Sequence, residues 1–335
     1  MTSAPLLTVE NLDMHFRNRK GLFRRQPPPT RAVDDVSLQI HPGETLSLVG
    51  ESGSGKTTLG RCILGVYRAT AGRITYAGTP GAPVELTTLG EAELKPYRRQ
   101  IRMIFQDPNS SLNPRRPVVD LIGECLEIHG LAKGRARSER VAELLTQVGL
   151  RPEYMSRYPH AFSGGERQRI GIARALALDP RLVVCDEAVS ALDVSVQAQI
   201  INLLQDLQAQ RGLTYLFIAH DLAVVEHISD RIAVMYAGRL IEVAKTEDMF
   251  ARPLHPYTEA LIGTIPLPDP RLRKAARTRL GGEIASLSAP PPGCNFHPRC
   301  RYASAACQVD RPPLRQIGDR QVACHHAETL TLKGA

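Results

Sequence analysis

The spacing of apolar positions changes several times along the chain, and each change marks an expected element. Leu7 to Phe16 alternates apolar and polar residues, which predicts a strand. Two further β-rich runs, Val33 to Ile40 and Glu44 to Val49, are separated by the turn sequence His41-Pro42-Gly43. A glycine-rich segment follows the second run, and we expect a helix to begin near Lys56.

The pattern becomes mostly helical between Asp107 and Arg174, as in Ser138 to Val148. Further on, apolar strands at Leu182 to Cys185 and Tyr215 to Ala219 flank a helix near Val196 to Arg211. Alternation of strands and helices predicts a parallel sheet that is covered by helices. The helical stretch, at about residues 107–174, is expected to be a subdomain inserted into that α/β fold.

Two segments have the composition of loops or of a separate module. The basic, proline-rich stretch from Arg17 to Arg31 predicts an exposed loop, either a solvated insertion or a contact with anionic lipid headgroups. After about Pro266, proline, arginine and cysteine become frequent and periodic runs end. We therefore expect a main domain over residues 1–266 and a small cysteine-rich module over residues 267–335.

Length and composition indicate a globular protein without membrane spans. The 335 residues are 43% hydrophobic and 23% charged, which is ordinary for a globular chain of roughly two domains. No apolar run approaches the ~20 residues that cross a bilayer, and no signal-peptide pattern opens the chain. The net charge of +8 favours polyanionic partners without choosing among nucleic acid, lipid and phosphorylated ligands.

The segment Gly50-Glu51-Ser52-Gly53-Ser54-Gly55-Lys56-Thr57 matches the phosphate-loop pattern GxxxxGK[ST]. A β-rich run precedes it and a helix follows, so backbone N–H groups and a helix N-terminus would converge on a phosphate. Lys56 would contact the β- and γ-phosphates, and the Thr57 hydroxyl would bind Mg²⁺. The candidate nucleotide contacts here are Gly50, Ser52, Gly53, Ser54, Gly55, Lys56, Thr57 and Thr58.

An apolar strand from Leu182 to Cys185 ends in the carboxylates Asp186 and Glu187. Such a strand would carry Asp186 to the phosphate loop, where it could support Mg²⁺ through water. Glu187 would then be placed to orient and polarise the attacking water. This pair, together with Lys56, predicts hydrolysis of a nucleoside triphosphate.

A second glycine-rich helix start lies at Ser163-Gly164-Gly165, before a helical stretch from Ile170 to Leu178. It has the features of another anion-binding N-terminus. One physical solution for a chain with two such sites is a dimer in which each chain's second motif closes over the nucleotide of the other.

Taken in order, these motifs resemble those of the ATPase subunits of ABC transporters over about Leu7 to Pro266. The resemblance also implies roles for Gln106 as a Mg²⁺-sensing loop glutamine, for His220 as a switch histidine on the γ-phosphate, and for Asp193 in communication across the dimer. It implies an aromatic residue stacked on adenine, for which Phe16 is the candidate and Phe23 the second choice. The alternative for Phe16 is packing at a sheet edge.

The chain departs from this family's usual pattern at three positions. Phe162 and Glu166 stand where leucine and glutamine are usual around the signature Ser163, and Ala188 stands where proline is common. None of these changes removes a phosphate-contacting group, so activity is expected, with Glu166 tuning its rate. The implied fold is α/β, a P-loop NTPase with a mostly parallel core sheet, an antiparallel β subdomain, the inserted helical subdomain and the cysteine-rich module.

Several segments resemble the oligopeptide and dipeptide importer subfamily and its "F"-type ATPase. They are Ser110 to Arg115, Tyr158-Pro159-His160, His255-Pro256-Tyr257-Thr258 and the cysteine-rich tail. The resemblance implies a heterodimer with a sister ATPase, two transmembrane permease subunits and an extracytoplasmic substrate-binding protein, on the cytoplasmic face of the inner membrane. Nickel and glutathione importers share much of this pattern, so the cargo stays open at this stage.

Four cysteines, Cys294, Cys300, Cys307 and Cys324, lie in the tail. Four thiolates suit zinc or an iron–sulfur cluster. The spacing lacks the paired knuckles of zinc sites, and the tail resembles that of relatives with a [4Fe–4S] cluster. We therefore expect such a cluster, with zinc and free or structural thiols as alternatives. Arg299 and Arg301 are expected to stabilise the cluster's charge, while His297, His325 and His326 are either alternative ligands or solvated side chains.

A rival function is that of a soluble ABC ATPase acting on nucleic acid, which the net charge permits. Such proteins have long coiled coils, zinc hooks or two ATPase domains in one chain, and this sequence shows none of these features. We therefore expect no nucleic-acid partner, and ATP and Mg²⁺ as ligands.

Overall fold

The structure is a computed structural model, and it describes residues 4–17, 28–78, 82–107, 111–265 and 281–335. The chain divides into two compact units. The first unit comprises Met1–Ala4, His41–Gly43 and Leu89–Ile218, and the second comprises Pro5–Ile40, Glu44–Thr88 and Ala219–Ala335.

The secondary structure of the described residues alternates strands and helices through most of the chain. The strands are β1 (Leu7–Phe16), β2 (Thr30–Ile40), β3 (Thr45–Val49), β4 (Ala71–Tyr76), β5 (Val84–Glu85), β6 (Ile101–Ile104), β7 (Leu182–Asp186), β8 (Thr214–Ala219), β9 (Arg231–Tyr236), β10 (Arg239–Lys245), β11 (Arg315–Ile317) and β12 (Arg320–Val322). The helices are α1 (Lys56–Ile63), α2 (Glu91–Gln100), α3 (Val118–Ile128), α4 (Gly134–Gln147), α5 (Gly164–Leu176), α6 (Val194–Arg211), α7 (Leu222–Ile228), α8 (Thr246–Ala251), α9 (Pro256–Ile262) and α10 (Ala305–Val309).

Parallel strands of the first unit follow the order β8-β7-β6, and the last residue of β8, Ala219, is assigned to the second unit. Every residue of β7 and β8 is buried, which is typical of parallel strands that are covered on both faces. The predicted strands at residues 182–185 and 215–219 are therefore confirmed. Both extend by one residue, to Asp186 and from Thr214.

Helices α3, α4 and α5 of the first unit pack against one another. The helix predicted over residues 138–148 is confirmed as part of α4. The predicted helix start at Ser163-Gly164-Gly165 is confirmed, because α5 begins at Gly164, and the helix ends at Leu176, two residues before the predicted end of the helical stretch at Leu178. Ser163 caps its first turn and supplies the start signal. Whether residues 107–174 form an inserted subdomain stays a prediction.

An antiparallel sheet of the second unit has the strand order β2-β1-β4-β5. Leu7 pairs with Ile40, and Val9 pairs with Ile74 on the other side of β1. The predicted loop from Arg17 to Arg31 is wrong at its end, because β2 begins at Thr30. Residues 18–27, which include the second adenine-stacking candidate Phe23, lie outside the described residues.

The other strands of the second unit follow the order β11-β12-β10-β9-β3. Strand β3 is parallel to β9, with Leu46 opposite Arg231, and the remaining pairs are antiparallel. The pairing of Glu242 with Val322 joins residues near the C-terminus to β10. The predicted domain boundary near residue 266 lies outside the described residues, so the division into residues 1–266 and 267–335 stays a prediction.

In the part of the chain that the structure describes, no helix combines the length and the apolar character that a bilayer crossing needs.

Candidate functional site

The predicted phosphate loop connects strand β3 to helix α1 in the second unit. A Cβ atom at Gly50 would lie 2.1 Å from the carbonyl oxygen of Met235, and one at Gly55 would lie 2.0 Å from that of Ala32. Gly55, the residue before α1, has a φ of 106°. Both positions therefore require glycine, on grounds of space and of backbone conformation.

The side chain of Lys56 is folded back into this loop. The residue is only 4% exposed, and its ammonium donates to the carbonyl oxygens of Gly50 (2.7 Å) and Glu51 (2.9 Å) and to Ser54 Oγ (3.4 Å). A cation enclosed by a loop at a helix N-terminus suits a phosphate. The other predicted contacts lie on the same loop and first helical turn: Ser52 and Gly53 are exposed, and Thr57 and Thr58 are half-buried.

Glu51 of the loop has two contacts that the sequence did not predict. Its backbone N–H donates to Tyr257 Oη, and its carboxylate pairs with the guanidinium of Arg299. In the sequence, the segment His255-Pro256-Tyr257-Thr258 carries only a family resemblance, and Arg299 is marked only by its neighbouring cysteine. No local pattern linked either of them to the loop.

In the first unit, strand β7 delivers the predicted acidic pair. Asp186 is buried, and Glu187 follows it with a φ of 47°. This left-handed conformation costs a non-glycine residue roughly 1–2 kcal/mol. The backbone offsets that cost by hydrogen bonds, since Glu187 N–H donates to Ile218 O (2.9 Å) and Ser190 N–H donates to Glu187 O (3.1 Å). A strained acidic residue that is fixed in this way is typical of a functional position.

Gln106 follows strand β6, also in the first unit, and its side chain reaches Glu187. Its Nε2 atom donates to Glu187 Oε2 over 2.7 Å. The structure therefore brings together two residues that are 81 positions apart in sequence and that had been assigned to one site.

The Ser163-Gly164-Gly165 motif lies at the N-terminus of α5. Ser163 and Glu166 form a reciprocal cap, in which Ser163 Oγ accepts from Glu166 N–H (3.3 Å) and Ser163 N–H donates to Glu166 Oε2 (2.8 Å). The Ser163 hydroxyl also donates to this carboxylate, over 2.9 Å. A Cβ atom at Gly165 would lie 2.5 Å from Val196 Cγ1, so the motif packs closely on α6.

Asp193 occupies the N-cap position of α6. Its Oδ1 atom accepts from Ser195 Oγ (2.7 Å) and from Val196 N–H (2.9 Å). These two hydrogen bonds lower the pKa of the Asp193 carboxyl. The structure thus gives Asp193 a helix-capping function, while its predicted communication across a dimer stays a prediction.

His220 and Phe16 both lie in the second unit. His220 is exposed and directly follows strand β8. Phe16 ends β1, half-buried, and its ring packs edge to face against Tyr67 with 5.4 Å between centroids. That contact fits the alternative of packing at the sheet edge, and stacking on adenine stays a prediction.

The tail cysteines do not form the predicted [4Fe–4S] centre, and that prediction was wrong. A cluster needs four thiolates that converge on one point. Among the described residues, one set of three or more ligand atoms lies mutually within 4.8 Å, and it consists of Asp13, His15 and Asp34. No three of the tail cysteine sulfurs lie this close together. A zinc site also needs ligand atoms at such short mutual distances, so this arrangement does not fit zinc either.

The contacts of these cysteines are those of free or structural thiols. Cys307 Sγ lies 3.6 Å from both Ser304 Oγ and His326 Nε2, and Cys324 packs in an apolar cluster with Leu254 and Val322. Burial raises the pKa of Cys324 to about 11, and it also raises the pKa of the Cys294 and Cys300 thiols.

The charged and imidazole groups near these cysteines have other partners. Arg299 pairs with Glu51, and Arg301 pairs with Glu259 over 2.9 Å. His297 and His325 lie within hydrogen-bond distance of backbone carbonyl oxygens. The arginines were therefore wrongly assigned to a cluster, because carboxylates already neutralise them.

Two family models match the chain. Residues 33–190 match the model described as ABC transporter, and residues 241–307 match the C-terminal region of oligopeptide/dipeptide transporters. The first match covers the phosphate loop, Gln106, Ser163 and Glu187, and the second covers Tyr257 and Arg299.

Whole-length relatives and solved structures agree with these matches. The chain is 47% identical to the oligopeptide transport ATP-binding protein AppF of Bacillus subtilis (strain 168), over 96% of this chain and 97% of AppF. It is also 52% identical to the putative oligopeptide transport ATP-binding protein YkfD of the same organism, over 98% of each chain. The dimeric ATP-binding cassette MJ0796, solved with ADP and Pi, aligns with a TM-score of 0.62 and 28% identity over 72% of this chain and 98% of the cassette.

Proposed function

The chain belongs to the ABC transporter family, in its group of oligopeptide and dipeptide transport ATP-binding proteins, and we propose that it energises the import of di- and oligopeptides by hydrolysing ATP. The observation that carries this proposal is the loop around Lys56, whose ammonium is buried among loop carbonyl oxygens at the start of a helix. Glycines without room for a Cβ atom maintain that shape.

We propose a separate role in ATP hydrolysis for each of the site's side chains. Lys56 and the backbone of residues 50–57 would bind the β- and γ-phosphates. The hydroxyl of Thr57 and the carboxylate of Asp186 are hard oxygen donors of the kind Mg²⁺ prefers, and the Gln106 amide oxygen is a third. Magnesium bound there would neutralise phosphate charge. Glu187 would orient and polarise the attacking water, with Gln106 holding its carboxylate.

The remaining site residues have roles in nucleotide binding and signalling. We propose that His220 contacts the γ-phosphate and that Phe16 contacts the adenine. Ser163, Gly164 and Gly165 would bind the nucleotide of a second ATPase subunit, because the N-terminus of α5 presents backbone N–H groups and the positive end of the helix dipole. The dimeric state of the MJ0796 cassette supports this arrangement, and a sister ATPase would complete a heterodimer here.

A cavity of about 580 Å³ in the first unit suits contact with a membrane subunit. Phe105 and Ile128, which are 43% and 61% exposed, line it together with Arg102, Arg174 and Glu124. Exposed apolar side chains beside charges are typical of protein interfaces. Since Phe105 directly precedes Gln106, a permease seated there would act on the residue that holds Glu187.

The names of the relatives favour peptides as cargo. We propose that the chain works at the cytoplasmic face of the membrane with two permease subunits and an extracytoplasmic binding protein. Residues 1–266 would form the ATPase domain and residues 267–335 a C-terminal region. In the alternative, the same ATPase subunit would drive uptake of nickel or glutathione together with a different binding protein.

Reconstitution of the whole transporter tests the proposal. The chain, its sister ATPase, the permeases and the binding protein are assembled in nanodiscs, and ATP turnover is measured with trialanine, glutathione or Ni²⁺. We expect stimulation by the tripeptide and none in a complex that carries Lys56→Ala. Stimulation by Ni²⁺ or glutathione alone would refute peptide cargo, and stimulation by DNA or RNA would refute transport.

A further inference from the structure

A carboxylate of the phosphate loop is bound by an arginine that is 248 residues away in sequence. Arg299 Nη1 donates to Glu51 Oε2 over 2.7 Å, and Arg299 Nη2 donates to Glu51 Oε1 over 3.0 Å. The Arg299 side chain is 5% exposed and that of Glu51 is 25% exposed. Two parallel charge-assisted bonds in a largely buried place fix both direction and distance, unlike a surface ion pair.

The guanidinium of Arg299 also contacts two residues of the second unit other than Glu51. Its Nε atom donates to Gly281 O over 3.1 Å, and its Cζ atom lies 5.9 Å from the centroid of the Tyr236 ring. The residue closes the short 3₁₀ turn His297–Arg299. With these contacts in place the side chain is already ordered, so it can hold Glu51 with little further loss of rotamer entropy.

A second contact fixes the backbone of the same loop residue. Glu51 N–H donates to Tyr257 Oη over 2.9 Å, and Tyr257 is fully buried. The Tyr257 ring packs against Tyr236 and Phe296, with centroids at 4.7 Å and 5.3 Å. Because the ring cannot move without disturbing this aromatic cluster, its hydroxyl is a fixed acceptor for the loop.

Glu51 in turn holds the phosphate-binding lysine. Its carbonyl oxygen accepts from Lys56 Nζ over 2.9 Å and from Ser54 N–H over 3.2 Å. The side chain, the N–H and the C=O of this one residue are thus all engaged, two of them by the C-terminal part of the chain. Glu51 also adds a negative charge to a loop that must receive phosphates, and Arg299 neutralises that charge.

We infer that Arg299 and Tyr257 are positioning residues for ATP binding, which hold Glu51 and through it Lys56 and the loop. This inference rests on the proposed role of the loop in binding the phosphates of ATP. It gives the C-terminal region a function in the nucleotide site: a residue of the matched range 241–307 sets the affinity of a loop in the matched range 33–190.

The test measures the MgATP affinity of the purified full-length chain with a fluorescent ATP analogue, and the KM and kcat of ATP hydrolysis by the chain together with its sister ATPase. We expect Arg299→Gln to raise the Kd and the KM by roughly 10-fold and to leave kcat nearly unchanged, because the lost interaction acts on binding. Arg299→Lys, which keeps the charge without the fork, should give an intermediate Kd. The matched control is Arg301→Gln, at a position two residues after Arg299. It breaks the ion pair of Arg301 with Glu259, and this variant should bind MgATP with the wild-type Kd.

A double variant separates positioning from general stability. In a cycle of Glu51→Gln, Arg299→Gln and the double variant, both single changes break the same ion pair, so the Kd of the double variant should be no higher than that of Arg299→Gln alone. Additive losses of affinity in the double variant would overturn the inference, as would a wild-type Kd in Arg299→Gln.

Hydrogen exchange supplies a readout if Arg299→Gln does not fold. Tyr257→Phe keeps the ring and removes only the acceptor for Glu51 N–H, so the phosphate-loop peptide should exchange faster in the absence of nucleotide. Unchanged exchange there would contradict the inference. Failure of the wild-type chain itself to bind MgATP would instead refute the proposed function.

Discussion

The carboxamide of Gln106 donates a 2.7 Å hydrogen bond to the carboxylate of Glu187, the residue that follows strand β7 in a left-handed backbone conformation. The glutamine is exposed and the glutamate is half-buried. Gln106 directly follows Phe105, which lines the cavity proposed to contact a membrane subunit; we call this the membrane-subunit cavity. A polar side chain next to that cavity thus holds the proposed catalytic carboxylate. A shift of Gln106 would change the orientation of the carboxylate that is proposed to polarise the attacking water.

Replacing Glu187 with glutamine should abolish hydrolysis without abolishing ATP binding. The amide keeps the size of the side chain and removes the base, which should lower kcat by ~10²–10⁴-fold. Because bound ATP then persists, the chain and its sister ATPase should stay associated in MgATP, as measured by size-exclusion chromatography. Turnover equal to that of the wild type would remove Glu187 from its role.

Replacing Gln106 with alanine should lower turnover by a smaller factor. Glu187 would lose a hydrogen bond that fixes its orientation, and we expect roughly a 10-fold fall in kcat with little change in the Kd for ATP. Gln316→Ala, which removes an amide donor to Gly318 O in the C-terminal hairpin, is the control for loss of a glutamine. A fall in affinity with constant kcat would show that Gln106 serves binding instead.

Replacing Glu166 with glutamine should favour ATP-dependent dimerisation. The Glu166 carboxylate accepts a hydrogen bond from the Ser163 hydroxyl and places a negative charge at the helix start that is proposed to meet the partner's γ-phosphate. Glutamine can maintain the reciprocal cap while removing that charge. We expect a dimer several-fold tighter in ATP and a melting temperature close to that of the wild type. Equal or weaker dimerisation would contradict a repulsive effect of Glu166.

How far the sequence could predict this molecule is clear from particular residues. Strand β7 and the start of α1 follow from local apolar runs and glycine spacing, so their positions were predictable. The left-handed backbone of Glu187 depends on a hydrogen bond to Ile218 O, and the Arg299–Glu51 pair joins residues that are 248 positions apart. No local pattern encodes such contacts. The tail cysteines show the converse, because closeness in sequence did not place their sulfurs around one centre.

Burial of His255 should make the fold sensitive to acid. The residue is enclosed at the N-terminus of α9, where Nδ1 accepts from Tyr257 N–H over 3.0 Å. Burial lowers the pKa of His255 to about 3, below the ~6.5 of an unfolded chain. The neutral form is thus favoured on folding. Its stabilising contribution is complete above pH ~6.5 and declines by up to ~1.4 kcal/mol per pH unit as the pH falls towards the folded-state value.

The variant His255→Asn isolates this contribution, since asparagine can accept the same capping hydrogen bond and does not titrate. Urea denaturation at pH 7 and pH 5 should show a smaller loss of stability in the variant than in the wild type. Burial raises the pKa of Glu242, whose carboxylate accepts from His255 N–H, and its effect on stability has the opposite sign. That group is present in both proteins, so identical pH slopes would exclude His255 as the acid-sensitive residue.

Charge placed in the membrane-subunit cavity should uncouple transport from hydrolysis. Phe105 and Ile128 present large exposed apolar surfaces there, and burying a carboxylate against a permease would be costly. In Ile128→Asp we expect the chain and its sister ATPase, without the permeases, to hydrolyse ATP at nearly the wild-type rate, because the residue ends α3 and is not among the proposed phosphate ligands. The nanodisc complex should lose its stimulation by peptide, through weaker assembly. Val309→Asp, at a position 75% exposed in the tail, is the matched control. Peptide-stimulated turnover that survives in Ile128→Asp and is lost in Val309→Asp would move the permease contact from the cavity of the first unit to the C-terminal region.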